Sequence, residues 1–257
     1  MRTFSFCFGQ LRQWLKNCIA LGLLLCLVLG YSLPAQAASS ANPQLERQVL
    51  QIIRQHPEVI LESLQAYQQQ QQQQLQQTRQ AFLQDLKTEP LKVIGESPTT
   101  GSPNAKTVLV EFSDFQCPYC AEAHKTLKDL ISKHHDDIKL VYKNFPLTSI
   151  HSEALPAAKA AWAAFQQGKF WEYHDALFSQ QQKLSEALYI DIAKKLNLDL
   201  QKFERDRRLA DTAIQKDIAL AEKLRLSGTP FFIINSENFS GAVQISDIEK
   251  IFSDNSK

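Results

Sequence analysis

The segment that most restricts what this chain can fold into is Thr107 to His124, TVLVEFSDFQCPYCAEAH. Its first six residues form a nearly continuous apolar run of strand length, the mark of a strand buried on both faces. Pro118 then opens what reads as a helix, because a proline at the first helical position loses no intrahelical hydrogen bond. Strand, loop and helix are thus held together with Cys117 and Cys120 at the helix start. Three chemistries compete for two cysteines at this spacing: half of a structural zinc site, a haem attachment, or a dithiol that cycles through a disulfide. Haem attachment needs histidine directly after the second cysteine, and Ala121 stands there. Zinc needs four ligands, and only His124 lies at helical spacing, with His134 and His135 nearer the helix end. The expectation is therefore no metal, with the Cys117–Cys120 disulfide itself as the redox group.

The start of the chain bears on that choice. Basic Arg2, Arg12 and Lys16 precede the apolar run Cys18 to Leu29, and Ala35-Gln36-Ala37 follows as a small-x-small cleavage pattern. This order predicts a secretory signal over residues 1–37. An uncleaved membrane anchor is the competing reading, although the run is shorter than the roughly 20 residues a spanning helix needs. Cleavage near Ala37 removes three of the five cysteines and leaves only Cys117 and Cys120. It also removes three of 28 basic residues and none of 27 acidic ones, for a net charge near −2. That balance gives no support for a nucleic-acid partner.

Residues 38–89 read as a glutamine-rich helical arm, with seven consecutive glutamines from Gln68 to Gln74. Two helices are predicted, from Pro43 to Gln55 and from Pro57 onward. Leu45, Val49, Ile52, Ile60, Leu64, Tyr67, Leu75, Phe82 and Leu86 recur mostly at three- and four-residue intervals, interrupted where glutamine fills the stripe, as in a poor coiled-coil seam. A solvated spacer is the alternative, since polyglutamine has nothing to bury. Between Glu89 and Ala105 several prolines and glycines predict a linker around a short edge strand at Val93-Ile94.

Residues 90–257 read as one domain. After the first strand and the helix come a strand at Ile138 to Tyr142 and a helical stretch of about 150–226. A strand at Phe231 to Ile234, a weaker one at Gly241 to Val243 and a helix at Ser246 to Phe252 follow. The order predicts an α/β fold with a helical insertion. Trp162, Phe165, Phe170, Trp171 and Phe178 are expected in the core of that insertion, and His151 and His174 as caps or packing residues.

Four separated motifs carry a resemblance: Glu111-Phe112-Ser113-Asp114-Phe115-Gln116-Cys117-Pro118-Tyr119-Cys120, then Lys143-Asn144-Phe145-Pro146-Leu147 with His151, then Gly168-Lys169-Phe170-Trp171, then Gly228-Thr229-Pro230-Phe231-Phe232. In this order they resemble the DsbA-like thioredoxin-fold thiol oxidoreductases of the bacterial cell envelope, over about residues 91 to 254. His56-Pro57-Glu58-Val59-Ile60 is similar to the oligomerising arm of some members, including the trimeric ScsC-type isomerases. The resemblance implies a thioredoxin fold, a periplasmic or equivalent location, Cys117 as nucleophile and Cys120 as resolving thiol. It places Glu111 at the family's buried acidic position, where it would move a proton to or from Cys120. Thr229-Pro230 resembles the cis-proline loop facing the dithiol, where the Thr229 backbone would hold an extended substrate.

Disulfide exchange proceeds through a thiolate, so the site must hold Cys117 as an anion near neutral pH. The helix N-terminus offers at most about 2 kcal/mol. That lowers a thiol from about 8.5 to about 7, and a lower value needs further donors such as the Cys120 thiol and local amides. DsbA lies about 150 mV above thioredoxin, roughly 7 kcal/mol, and carries histidine where this chain has Tyr119. With that cation missing, an intermediate potential is expected.

The leading expectation is disulfide formation in exported proteins. A membrane partner of the DsbB or vitamin-K-epoxide-reductase type would reoxidise the dithiol. An oligomeric isomerase or reductase fed by a membrane reductase is the first alternative, supported by the arm and by Thr229. A non-catalytic holdase is the second. A glutaredoxin also often carries CPYC, but the secretion signal and the helical insertion argue against it.

Overall fold

In the computed structural model, residues 42–235 are described. The expected signal over 1–37, the weak strand at Gly241 to Val243 and the helix at Ser246 to Phe252 lie outside them. The chain divides into two units after Gln65. The first contains α1, Pro43–Gln55, and the start of α2, Pro57–Thr88. Asn42 caps α1 by accepting from the Gln44 amide, and both prolines open their helices as predicted.

The second unit is built on a four-stranded mixed sheet. Its strands are β1, Thr99–Gly101; β2, Thr107–Ser113; β3, Ile138–Asn144; and β4, Phe231–Ile234, in the order β1-β3-β2-β4. β2 and β3 run parallel, with Glu111 opposite Tyr142, while β1 and β4 pair antiparallel at the flanks. Between β2 and β3 lies α4, Pro118–Lys133. Between β3 and β4 lie α5, Ala154–Phe165; α6, Phe170–Ser179; α7, Glu186–Lys195; α8, Leu200–Leu209; and α9, Asp211–Lys223, with a single 3-10 turn at Gln181–Lys183. This is a thioredoxin fold carrying a helical insertion.

Strand alternation sorts the core into layers. Val108, Val110, Phe112 and Val141 face α9 through Ala221, and they also meet Leu224 and Leu226 just beyond it. Leu109, Ile138 and Leu140 face α4 through Ala123, Leu127 and Leu130. Both faces of β2 are therefore covered, as its apolar run requires. In the insertion, seven buried alanines on α5 present a low surface for neighbouring helices, and Phe170, Tyr173, His174, Leu177 and Phe178 line the inner face of α6 at helical spacing.

Two expectations are corrected. Val93 and Ile94 do not form an edge strand. They end α3, Pro90–Ile94, which starts on a proline and stops at Gly95 with a φ of 57°. Both side chains bury in the sheet's outer layer. The edge strand is β1, where Gly101 approaches β3 so closely that a Cβ would collide with the Ile138 carbonyl. The stripe from Leu45 to Leu86 also does not continue as one seam. Leu45, Val49, Ile52, Ile60, Leu64 and Tyr67 are exposed, whereas Phe82, Leu83 and Leu86 are buried against β2 and α9. Arg79 adds a hydrogen bond to the Leu224 carbonyl at 3.1 Å. The end of α2 is thus part of the domain core.

Leu86 is fully buried, so Leu86→Ala should cost about 2–5 kcal/mol in urea unfolding monitored by circular dichroism. A loss below about 0.5 kcal/mol, typical of surface substitutions, would detach this helix end from the core.

Candidate active site

The loop entering α4 is fixed before the cysteines are reached. Asp114 is buried, and its Oδ1 accepts from the Gln116 amide at 2.8 Å, a local turn that an Asp side chain makes readily. Its Oδ2 accepts from the Leu147 amide at 2.9 Å and lies 2.7 Å from His151 Nδ1. Gln181 Nε2 donates to the carbonyls of Phe115 and Cys117 at 2.9 and 2.8 Å. Gln116 Oε1 accepts from the Glu153 amide. One loop is thereby tied both to the turn after β3 and to the insertion.

Cys117 is the N-cap of α4 and Pro118 its first residue. Both cysteines are buried free thiols. Cys117 Sγ donates to the Thr229 carbonyl at 3.3 Å, and the Thr229-Pro230 peptide is cis. Thr229, Pro230 and the dithiol thus meet from opposite ends of the domain sequence. Tyr119 is 68% exposed, so it projects away from the sulfurs' buried side.

The two thiols have opposite electrostatics. The Cys120 thiol, donating to Cys117, lowers the Cys117 pKa to about 5, and the Thr229 side chain with the first-turn amides of Cys120 and Tyr119 adds to the effect against the penalty of burial. Burial, then the hydrogen bond to Cys117, holds Cys120 protonated far above the ordinary thiol range. These are the further donors that a helix terminus alone lacks.

Glu111 sits on β2 beneath α4, on the same strand face as Leu109. It is 1% exposed, and burial raises its pKa to about 7. Ser113 opposes that shift, but neither Glu111 Oε1 nor Ser113 Oγ has a hydrogen-bond partner. Tyr142, opposite Glu111 across the strands, is pushed up by burial and by its neighbours Glu111 and Cys120.

His174 is buried among the rings of Phe115, His124, Tyr142, Phe170, Trp171 and Phe178, with centroids 4.8–5.6 Å away. Burial lowers its pKa to about 4. Phe170 and Phe178 are buried, while Trp162, Phe165 and Trp171 pack partly buried against the core. Trp171 Nε1 donates to the Thr99 carbonyl, joining the insertion to β1. Among the described residues, His124, His174 and Asp175 form one group of metal-ligand type, which neither cysteine joins.

The thioredoxin family model matches residues 94–254. The chain belongs to the thioredoxin family. Its domain is 30% identical to a thioredoxin-like oxidoreductase of Silicibacter pomeroyi, with a TM-score of 0.57 over 66% of this chain and 97% of that one. The catalytic domain of Proteus mirabilis ScsC is 27% identical, with a TM-score of 0.55 over 67% and 97%. ScsC in a transitional conformation aligns over 86% of this chain and 97% of its own at 25% identity and the same TM-score. The thioredoxin domain is therefore of the DsbA-like and ScsC type. It is also 38% identical over 148 residues to a Na(+)/H(+) antiporter NhaA 3 of Salinispora tropica, covering 56% of this chain. The chain spans about a fifth of the length of the curated relatives it matches. Among the described residues, no helix is long and apolar enough to cross a membrane.

The fold brings Cys117, Cys120, Thr229 and Pro230 together, and Glu111 shares Tyr142 as a neighbour with Cys120. Sequence reasoning missed Asp114 and Gln181. An aspartate two residues before an amide it can cap was a usable signal for Asp114. Gln181, 64 residues from Cys117, had none.

The pH dependence of stability separates the two perturbed groups. Glu111 binds its proton more tightly folded than unfolded between 4.5 and about 7, so its contribution is lost as pH rises through that window. Cys117, lowered from 9.0 to about 5, contributes stability that is complete above 9.0 and lost as pH falls through about 5. Glu111 is common to both redox forms, so their difference isolates Cys117. The stability of the reduced form relative to the oxidised form should rise from pH 5 to pH 9 in paired urea titrations, with ultraviolet thiolate absorbance titrating near 5. A flat difference would remove the thiolate from the reduced fold.

Proposed function

We propose that this protein is a thiol:disulfide oxidoreductase of exported proteins that forms disulfides through Cys117 and Cys120. The observation that carries the reading is the split between a Cys117 held as thiolate near pH 5 and a Cys120 held protonated, on one turn of helix. A stabilised thiolate at Cys117 favours the reduced form, which makes the oxidised form an electron acceptor. It also makes Cys117 a good leaving group.

In the oxidised protein a substrate thiolate attacks Cys117 Sγ, and the Cys117–Cys120 bond breaks. Cys120 departs with the electron pair and takes a proton, for which Glu111, with a pKa near 7, is the nearby acid. A second substrate thiolate attacks the substrate sulfur of the mixed disulfide, and Cys117 leaves as thiolate. The substrate gains a disulfide, and two electrons reside on the dithiol. A membrane partner of the DsbB or vitamin-K-epoxide-reductase type would take them up. Thr229 and Pro230 would hold the substrate backbone beside Cys117 as an added strand, and the exposed Tyr119 would tune the potential from the rim. The export signal expected over residues 1–37 supports a location in the periplasm or an equivalent compartment. No bound cofactor is needed, because the disulfide carries the electrons.

Cys120→Ser should trap mixed disulfides with substrates, visible on non-reducing gels, and Cys117→Ser should trap none. Alkylation at low pH that labels Cys120 before Cys117 would reverse the roles.

A second reading, an oligomeric isomerase, is favoured by the exposed apolar side chains Leu45, Val49, Ile52, Ile60, Leu64 and Tyr67, and by alignment with ScsC over 86% of the chain. Paired copies of this segment would hold several dithiols around misfolded chains. Its test is a truncation that ends at Gln65 and so spares Phe82, Leu83 and Leu86. By light scattering the exported form should then be an oligomer and the truncated form a monomer. The monomer should still exchange dithiols but lose refolding of scrambled ribonuclease. A monomeric exported form leaves the arm as a spacer and disulfide formation as the function.

A further inference from the structure

A cavity of about 150 Å³ opens beside the dithiol helix, lined among others by Glu111, His124, Lys128, Trp171, His174 and Asp175. Asp175 divides its oxygens. Oδ2 accepts from Lys128 Nζ at 2.6 Å, while Oδ1 faces His124 Nε2 at 3.6 Å and His174 Nδ1 at 3.4 Å. We propose that His124, His174 and Asp175 form a site for a divalent transition-metal ion of the zinc class, joining α4 to α6 at this cavity.

The spacing argues for it. Charge-assisted hydrogen bonds between such groups close to about 2.7–2.9 Å, as His151 and Asp114 do at 2.7 Å. The two Asp175 contacts are longer than that, although the one to His174 is still a hydrogen bond. The His174 contact matches the edge of a tetrahedron with bonds of about 2.0–2.1 Å, which separates ligands by roughly 3.3–3.4 Å, and the His124 contact at 3.6 Å lies slightly outside it. All three donor atoms lie within 4.8 Å of one another. Two imidazoles and a carboxylate suit zinc and its neighbours, and three protein ligands leave a position for water.

The inner side of the cavity supplies the support such a site needs. Metal-bound histidines hydrogen-bond through their second nitrogen to a carboxylate, carbonyl or water. His174 Nε2 and Glu111 Oε1 are both buried without a partner, and both residues line the cavity. The cavity has room for a water, the kind of partner that His174 Nε2 would take. The six rings around His174 hold that ligand's orientation.

The test removes the competing thiols, so it does not depend on the redox reading. The untagged exported protein carrying Cys117→Ser and Cys120→Ser is titrated with zinc chloride by calorimetry. One zinc per chain is expected, with His124→Ala and Asp175→Asn each weakening it by at least about tenfold. His134→Ala with His135→Ala, neither of which lines the cavity, should leave it unchanged. In the wild-type protein with its disulfide formed, zinc should also raise the thermal midpoint. Absence of stoichiometric binding, binding indifferent to His124→Ala and Asp175→Asn, or binding lost with His134 and His135 would each overturn the site. Mixed-disulfide trapping by Cys120→Ser reports separately on the exchange reaction.

Discussion

The buried carboxylate of Asp114 is the constraint on which the arrangement of the site rests. A charge in the interior must be paired or hydrogen-bonded, and this one is satisfied from three directions: the Gln116 amide, the Leu147 amide and His151. Meeting those demands fixes the loop between β2 and α4 relative to the turn after β3, where the insertion begins. Cys117 follows Asp114 by three residues, so its sulfur inherits that position. The Gln181 amide clamps the Cys117 carbonyl from the far side of the insertion, leaving the backbone little freedom. The helical insertion is therefore part of the machinery that aims the thiolate as well as a cover for it.

A second constraint is that burial acts with opposite sign on neighbouring groups. Cys120 and Glu111 both resist ionisation because they are desolvated, while Cys117, also desolvated, is compensated by donors. The compensation is worth more than a helix terminus provides alone, because the Cys120 proton is donated to Cys117 rather than to water. The same burial that would suppress a lone thiolate here divides two identical side chains into an anion and an acid. Glu111, across the strands from Tyr142, has its pKa raised to about 7 by the same burial, and Tyr142 neighbours both it and Cys120.

The sequence made legible what depends on local pattern. β2, the proline-led α4, the two arm helices and the apolar run of β4 are each specified by residues adjacent in the chain. Cys117 and Cys120 were readable from their spacing at a helix start, whereas Glu111, Thr229 and Pro230 were pointed to by the resemblance of their motifs to a family. The failures are non-local. Val93 and Ile94 are β-branched and suggest a strand, but Pro90 and Gly95 bracket a single helical turn whose apolar pair fills a gap under the sheet. Phe82 and Leu86 fit a helical stripe equally well whether the partner is another chain or this one. Only the packing of α9 and β2 decides it. His174 looked like a packing residue, and it is one. What the pattern could not supply was the approach of His124 from a helix fifty residues earlier.

The arm shows why these ambiguities persist in one element. α2 carries two kinds of surface on a single helix, and the glutamines from Gln68 to Gln74 lie between them, predominantly exposed. Each glutamine in place of leucine forgoes apolar burial of roughly 1.5–3 kcal/mol, so this stretch cannot anchor anything by the hydrophobic effect. It remains helical because glutamine is a good helix former and because the helix continues on both sides. Gln71 also accepts a hydrogen bond from Arg225, a polar contact that leaves no apolar residue committed. The result is a segment whose ends are specified by burial and exposure, respectively, and whose middle is specified by propensity alone. The periodicity marks the interruption at the glutamines, but only burial shows that Phe82 and Leu86 beyond it pack on this chain's own domain.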